Sequence, residues 1–489
     1  MEFDITEEEF VKLAQERPVI IQLMAKVNSE CSPLDLYASL DNTYTYLLES
    51  VEKEKRHARF SFVGSDPDAV VAVKNRNVTL DYKHRTNLTG FIESSLSRVC
   101  DMESGRIKDG FDTMDAVRSA FAAPGVKYIG KGFDRQTFTG GAIGFCAYDM
   151  VYDCWLDIGS GTGETPDAQF ALTTRTVVFD HMTDETFIVM TPFVLECDNS
   201  ADVYRKALDD AKRFPGRITC NMEQDEYEDA VRKAKQHIID GDIFQVVLSR
   251  RYEITTDQSP LELYTALRNV NPSPYMYLFE FNGTSIIGAS PETLLSVHNR
   301  KVITNPIAGT CPRGKTAGED EKYAKEMLND KKERAEHVML VDLGRNDVRM
   351  VSKGGTVKVD DFMSVLKYSH VQHIESTVSG MLRDECDQFD ATRAIFPAGT
   401  LSGAPKIRAM EIIHDLEKGA RGIYGGGVGY YSWNGDADFA IVIRTIIKNG
   451  NKALVQAGAG IVADSDPEYE YNETERKMAA MIKAIGGAA

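Results

Sequence analysis

The sequence predicts an α+β fold built on large, mostly antiparallel sheets with helices outside. Strand-like runs such as YMYLFEF, TSIIGAS, FAIVIRTIIKN and KALVQAGAGIVA meet at Asn282-Gly283, Asn434-Gly435 and Asn449-Gly450, which are hairpin turns rather than crossover helices. Helical stretches do not alternate regularly with these strands, which excludes a doubly wound parallel fold. No short-period repeat or low-complexity segment interrupts the pattern.

The elements follow in order. A charged helix is expected at 5–16, then a strand at VIIQLMAKV and extended pieces at TYLLESV and ARFSFVG. Polar helical stretches lie near 89–122, ahead of FTGGAIGFCAYDMVYD. The strands TTRTVVFDH and ETFIVMTPFVL form a hairpin across Met182-Thr183-Asp184. A charged helix at 202–213 and the Pro215-Gly216 break place a boundary between an N-terminal region, 1–215, and a second domain, 216–489. That domain opens with the helix DEYEDAVRKAKQHIIDG, runs into the strand IFQVVLSRRYEI, and continues through YSHVQHIESTVSG and GIYGGGVGYYSW.

With 489 residues, the chain exceeds the size at which a single simple core keeps growing. Its net charge of -18 argues against nucleic acid or an anionic membrane as main partner. The acidic start MEFDITEEEF lacks the basic head and apolar block of a signal peptide, and no apolar run is long enough to span a membrane, so a cytosolic protein is expected. Eight scattered cysteines without a CxxC pair fit reduced thiols.

Two glutamate pairs are the leading chemical feature. Glu333/Glu336 and Glu470/Glu473 each have the three-residue spacing that puts both carboxylates on one helix face. Glycine-rich stretches nearby, PIAGT, GTLSGAPK and AGAG, offer backbone amides to an anion, and a hard divalent cation, magnesium first, would bridge a small dicarboxylate to the glutamates. The alternative is two solvated faces, with Glu473 and Lys477 forming an i,i+4 pair worth only ~0.3 kcal/mol. The first pair accompanies an apolar stripe of Leu328, Ala335, Val338 and Met339, and the second one of Thr474, Met478, Met481, Ile482 and Ile485.

Gly309 to Thr316 matches the G-x-x-x-x-G-K-T phosphate-loop pattern, but Pro312 removes a donor and Gly318 is expected to interrupt the following turn. A nucleotide loop is therefore rejected. His370 and His373, three apart in an extended stretch, face opposite ways, and either is a structural histidine or a proton carrier. Glu292 after Pro291 sits at a strand end where desolvation would make it an acid. Arg444, inside the apolar run FAIVIRT, needs an anion if buried, either a structural carboxylate or that of a ligand.

Taken together, GDIFQVVLSRR, SPYMYLFEF, GASPETL, NPIAGTCPRG, ERAEHVMLVDLGRND, PAGTLSGAPK, RGIYGGGVGYYS, DFAIVIRT and QAGAGIVADSDPEYEYNET closely resemble the chorismate-utilising enzymes, and among them the large subunits of anthranilate synthase. The match spans about 222–486, and LLES and GGAIGFCAYD extend it through most of the chain. The resemblance implies two halves pairing their sheets face to face, with chorismate in the second half. It implies that Glu336 and Glu473 hold Mg2+, with Glu333 and Glu470 supporting through water. It implies further that Gly309, Thr310, Gly458, Ala459 and Gly460 contact the ring carboxylate, that Tyr424 and Arg444 hold the enolpyruvyl carboxylate, and that Thr400 and Lys477 complete the lining. Glu292 matches the family's general acid and His373 the histidine tied to pyruvate loss, with Thr310 beside them. Only the role of Lys477 is affected by a departure, Arg476-Lys477 where Asn-Lys is usual.

Relatives that add water carry lysine at the place of Gln245, and those that aminate at C4 carry lysine at the place of Ala308, so the resemblance implies amination at C2. The 4-amino pathway of the aminodeoxychorismate synthases, and a non-catalytic tryptophan-binding protein, are the alternatives. The resemblance also implies a separate glutamine amidotransferase partner supplying ammonia. It implies tryptophan feedback at Glu49, Ser50, Asn271, Pro272, Met276 and Tyr277, residues whose plain reading is a turn packed on a strand.

Overall fold

The computed structural model describes residues 3–27, 32–38, 40, 43–50, 59–121, 126–130, 133, 136–156, 158, 165–183, 185–195, 198–207, 242–314, 316–367, 371–463 and 465–486. The expected boundary at 215/216, the helix over 225–241 and His370 lie outside the described residues.

Two sheets of eleven strands dominate. The first runs Leu23–Val27, Glu185–Met190, Arg175–Asp180, Phe60–Ser65, Tyr44–Glu49, Tyr275–Phe281, Thr284–Ser290, Thr445–Asn449, Lys452–Ile461, Gln245–Thr255, Gly403–Ala404. The second runs Ile307–Pro312, Val371–Met381, Lys301–Thr304, Thr293–His298, Ala437–Ile441, Gly427–Ser432, Gly141–Cys146, Ala168–Thr173, Ala69–Lys74, Asn77–Asp81, with Lys358–Lys367 also paired to Val371–Met381. Neighbours in both sheets are antiparallel, and each sheet joins early strands to late ones, through Glu49 opposite Met276 in the first and Phe145 opposite Val428 in the second. The α+β reading from the turns is therefore borne out. Val19–Ile21, Lys127–Ile129 and Phe193–Val194 make a small third sheet, with one parallel pair.

The large sheets pack face to face on an aromatic layer. Tyr46, Phe62, Tyr277 and Phe279 come from the first, Phe145, Val428 and Tyr430 from the second. Phe62 meets Tyr430 edge to face at 5.8 Å between ring centres. Burying each such ring contributes ~1.5–3 kcal/mol. Because strand side chains alternate, Tyr431 points the other way, into the outer core beneath helices Thr113–Phe121 and Gln388–Ile395. Helices Pro260–Val270 and Pro467–Ala484 cover the outer face of the first sheet.

Local signals explain several helix boundaries. Thr316 and Glu319 form a capping box at Ala317–Asn329, Ser259 and Glu262 another at Pro260–Val270, and Asp330 caps Lys331–Arg349. Gly318 sits within the first turn of its helix and does not interrupt it, contrary to expectation, because the capping box secures that turn. The phosphate-loop match still fails, since Gly309 to Pro312 belong to a strand paired with Val371–Met381. In Lys331–Arg349 the buried positions are His337, Leu340, Val341, Gly344, Asp347 and Val348, whereas Val338 is exposed. The apolar stripe is thus rotated from the expected one, because a buried histidine and aspartate take places reserved for hydrophobes. No helix among the described residues is long and apolar enough to cross a membrane.

Gly429 lies mid-strand, where a Cβ would run into the backbone carbonyl of Asp438. Gly429→Ala is expected to destabilise the protein by about 1–3 kcal/mol, read as a lower melting temperature; an unchanged melting temperature contradicts this packing.

Candidate active site

Twice the chain leaves one large sheet for the other at the same place. From Thr284–Ser290 it passes through Pro291 and Glu292 into Thr293–His298, and from Ala437–Ile441 it returns through Val442, Ile443 and Arg444 into Thr445–Asn449. The passages are tied together: the Ile441 N–H donates to the Glu292 carbonyl at 3.0 Å and the Ala289 N–H to the Arg444 carbonyl at 3.2 Å. Arg444 itself has a left-handed φ of 51°. It therefore lies between strands and is half-buried, not inside one strand as the apolar run suggested. Apolar residues continue across the switch because both flanking strands are buried, so hydropathy gives no mark of it.

Glu292 is 7% exposed, and Thr400 Oγ1 donates to its Oε1 at 2.8 Å. Burial pushes its carboxyl from 4.5 up to about 8; Thr400, the Ile307 N–H and Arg444 oppose this, while Glu375 adds to it. His373 stands opposite Thr310 in the strand ladder, and its Nδ1 lies 2.9 Å from the Gly309 carbonyl. A carbonyl can only accept, so Nδ1 carries the hydrogen and the lone pair resides on Nε2. Burial, helped by Arg444, lowers His373 to about 4, leaving it neutral at ordinary pH. Gly309 sits at a register shift with φ 66°, where a Cβ would press within 3.2 Å of Glu333 Oε2. The bulge thus sets His373 and Glu333 on either side of one glycine. The calls on the Thr310 side chain lie outside the described residues.

The glutamate pairs come from different layers and face one another. Lys331–Arg349 packs on Ile307–Pro312 and Val371–Met381, and Pro467–Ala484 on Lys452–Ile461. Buried Arg250 fastens the latter helix, donating to Thr474 Oγ1 at 2.8 Å and lying 4.1 Å above the Tyr471 ring. Burial raises the carboxyls of Glu333, Glu336 and Glu470 first; Glu336 and Glu473 then raise Glu333, and Glu473 raises Glu336 and Glu470. Glu470 is 4% exposed, which rules out the solvated-face reading for it. Among the described residues no three His, Cys, Asp or Glu side chains are already gathered tightly enough to hold a metal. Three of the four carboxylates have other partners: Glu473 meets Lys477 at 2.7 Å, Glu336 accepts from Gln245 Nε2 at 3.1 Å, and Glu470 accepts from the Ser465 side chain. Hard oxygens from mutually repelling carboxylates, with the buried Gln245 Oε1 lacking a hydrogen-bond partner beside them, fit magnesium or calcium and not a soft metal.

Lys477 also donates to the Gly458 carbonyl at 2.9 Å, and the Gly458 N–H bonds Tyr424, a buried phenol whose pKa burial raises. Gly458 therefore turns its polar groups away from the partner strand. Successive residues of an antiparallel strand alternate in direction, so Gly460 faces as Gly458 does and Ala459 turns into the ladder towards Leu248. The expected run of three donors reduces to Gly460, since the Gly458 N–H is taken by Tyr424 and Ala459 turns into the ladder.

The second expected site divides. Glu49, 4% exposed, accepts from Tyr264 at 2.6 Å and pairs with Arg268 at 3.0 Å. Asn271, at the end of the same helix, has a buried Nδ2 without a hydrogen-bond partner, and Met276 lies directly across from Glu49. Pro272 is half-buried beside Asn271, and Ser50 half-buried after Glu49. Tyr277, however, packs into the layer between the sheets with its hydroxyl 2.6 Å from Thr445. Its side chain cannot join Met276 and Glu49, because adjacent strand residues face opposite ways. Sequence reading missed Tyr264 and Arg268; their i,i+4 spacing on a capped helix was the available signal.

A model of the family described as chorismate binding enzyme matches residues 101–483. The chain belongs to the chorismate binding enzymes. It is 48% identical to the anthranilate synthase component 1 2 of Haloarcula marismortui, over 99% of this chain and 96% of that one. Identity to the anthranilate synthase component 1 of Haloferax volcanii is 49%, over 99% and 97%. The crystal structure of anthranilate synthase component I from Streptococcus pneumoniae superposes with TM-score 0.68 at 35% identity, covering 87% of this chain and 92% of that one.

In this chorismate binding enzyme the folded state keeps the Glu292 proton where the unfolded chain releases it, so this group's share of stability is intact below pH 4.5 and falls as pH rises towards about 8. Glu292→Gln is therefore expected to melt progressively higher than the parent between pH 5 and 9, reaching roughly 3–5 kcal/mol at about 1.4 kcal/mol per unit. A pH-independent difference would contradict the buried carboxyl.

Proposed function

We propose that the chain is an anthranilate synthase component I, converting chorismate and ammonia to anthranilate and pyruvate. The observation that carries this reading is the buried Glu292 carboxyl held by Thr400 at the seam of the two sheets, with the buried His373, its Nδ1 held by the Gly309 carbonyl, sharing Arg444 as a charged neighbour. It is supported by 48% and 49% identity, over 99% of the chain, to relatives of that name.

With its carboxyl raised to about 8, Glu292 holds a proton near neutrality and delivers it to the departing C4 hydroxyl, while Thr400 fixes the carboxyl plane. His373, neutral with its lone pair on Nε2, removes the C2 proton as pyruvate leaves. Arg444 and Tyr424 bind the enolpyruvyl carboxylate, Gly458 positions Tyr424 and Lys477 through its backbone, and the Gly460 amide faces the ring carboxylate. Glu336 and Glu473, with Glu333 and Glu470 behind them, would hold magnesium, which when bound neutralises the carboxylates and draws electron density from the ring. Gln245 and Ala308, neither of them lysine, favour amination at C2 over hydration or amination at C4.

Purified protein with chorismate, magnesium and ammonium is expected to form the ortho aminobenzoate. The para isomer, or bound chorismate without turnover, refutes the assignment. Glu336→Gln is expected to cut the rate at least a hundredfold; a normal rate would remove Glu336 from the reaction.

The chain takes ammonia from a separate glutamine amidotransferase and works in the cytosol, a setting supported by its acidic charge and scattered cysteines. Glutamine is therefore expected to be inert for the chain alone. Glu49, Ser50, Asn271, Pro272 and Met276 take tryptophan as feedback inhibitor, supported by Glu49 held against Tyr264 and Arg268 and by the unsatisfied Asn271 amide. Glu49→Ala is expected to weaken inhibition at least tenfold, with uninhibited activity within about twofold; equal inhibition would disprove the site.

A further inference from the structure

Glu292 does not end the site. Beside it lies a cavity of about 30 Å³ whose lining includes Glu292, Thr400, Asn305 and Asp347, with Leu340 and Leu343. One water needs ~10–15 Å³ by this measure and two or more polar partners, so the chamber accommodates one or two. Asp347 is 7% exposed, yet it occupies the inward face of Lys331–Arg349 that packs against the core. Its Oδ2 accepts from Lys406 Nζ at 2.6 Å, and Lys406 donates also to the Ile395 carbonyl at 3.0 Å. A buried ion pair of this kind costs stability relative to a hydrophobic pair of the same volume. The proposed chemistry gives neither residue a part. The pair retains slight solvent contact, with side-chain exposures of 10% for Asp347 and 11% for Lys406.

The geometry points to Asp347 and Lys406 as a relay that returns a proton to Glu292 through water in this chamber. The inference rests on Glu292 acting as the acid. Once Glu292 has protonated the leaving hydroxyl, it is a buried carboxylate. In the return step the Lys406 N–H bond breaks as an Asp347 O–H forms, Asp347 passes that proton to water, and the water gives one of its own to Glu292. Lys406 then recovers its proton from solvent, so charge and atoms balance.

The groups facing each end favour this direction. Around Glu292 are Thr400 and the Ile307 N–H, with Arg444 and Glu375 acting at longer range. Around Asp347, Lys406 is the charged group offsetting burial, which still lifts that carboxyl to about 6, below Glu292. Proton transfer from Asp347 to Glu292 is thus downhill. Asp347 acts on the reaction only through Glu292 and is a positioning residue in that sense.

The test compares the parent with Asp347→Asn and Asp347→Glu, using chorismate, magnesium and ammonium. Asp347→Asn is expected to lower kcat about tenfold, leave KM for chorismate unchanged, and regain rate as imidazole buffer is raised; Asp347→Glu should recover much of kcat. An unchanged kcat, or a loss that ignores buffer and is not recovered by Asp347→Glu, overturns the relay. On the parent itself, a proton inventory in mixed light and heavy water should bow, showing several protons in flight, and a straight line overturns it. An inactive parent overturns the reading of the site and the relay together, whereas a normal Asp347→Asn overturns the relay alone.

Discussion

Two backbone hydrogen bonds, Ile441 to Glu292 and Ala289 to Arg444, hold together the points at which the chain exchanges one large sheet for the other. The rest of the site depends on this seam. Sheets packed on an aromatic layer are continuous dry surfaces, and a polar cavity can open only where strands depart from them. Here an acid and a guanidinium sit at the departure points, so burial and electrostatic influence arise from the same local geometry.

Burial acts on the two candidate proton carriers in opposite senses. It favours the neutral form of each, so Glu292 keeps its proton and His373 goes without one at the same pH. The site thereby holds one acid and one base ready together. Hydrogen bonds then assign the atoms, Thr400 orienting the carboxyl and the Gly309 carbonyl choosing the imidazole tautomer.

The glutamates add a second effect to the first. Burial raises Glu333, Glu336 and Glu470, neighbouring carboxylates raise them further, and the surrounding structure softens the repulsion with Lys477 and Gln245 rather than removing it. The helices bearing them are anchored by buried polar contacts, one by Arg250 beneath Thr474 and Tyr471, the other by the Asp347–Lys406 pair near its end. Such anchoring keeps repelling side chains in place, since neither helix can slide without breaking a buried ion or hydrogen bond.

Much of this was legible in the chain alone. Asn-Gly turns announced antiparallel sheets, and three-residue glutamate spacing announced shared helix faces. These signals are local, carried by backbone preference and helical period. The sheet switch at Arg444, the inward turn of Ala459, the separation of Tyr277 from Glu49, and the partnership of Asp347 with Lys406 were not legible. Each depends on which strand or helix lies alongside, and a residue's own neighbours in sequence exert no force that reports it.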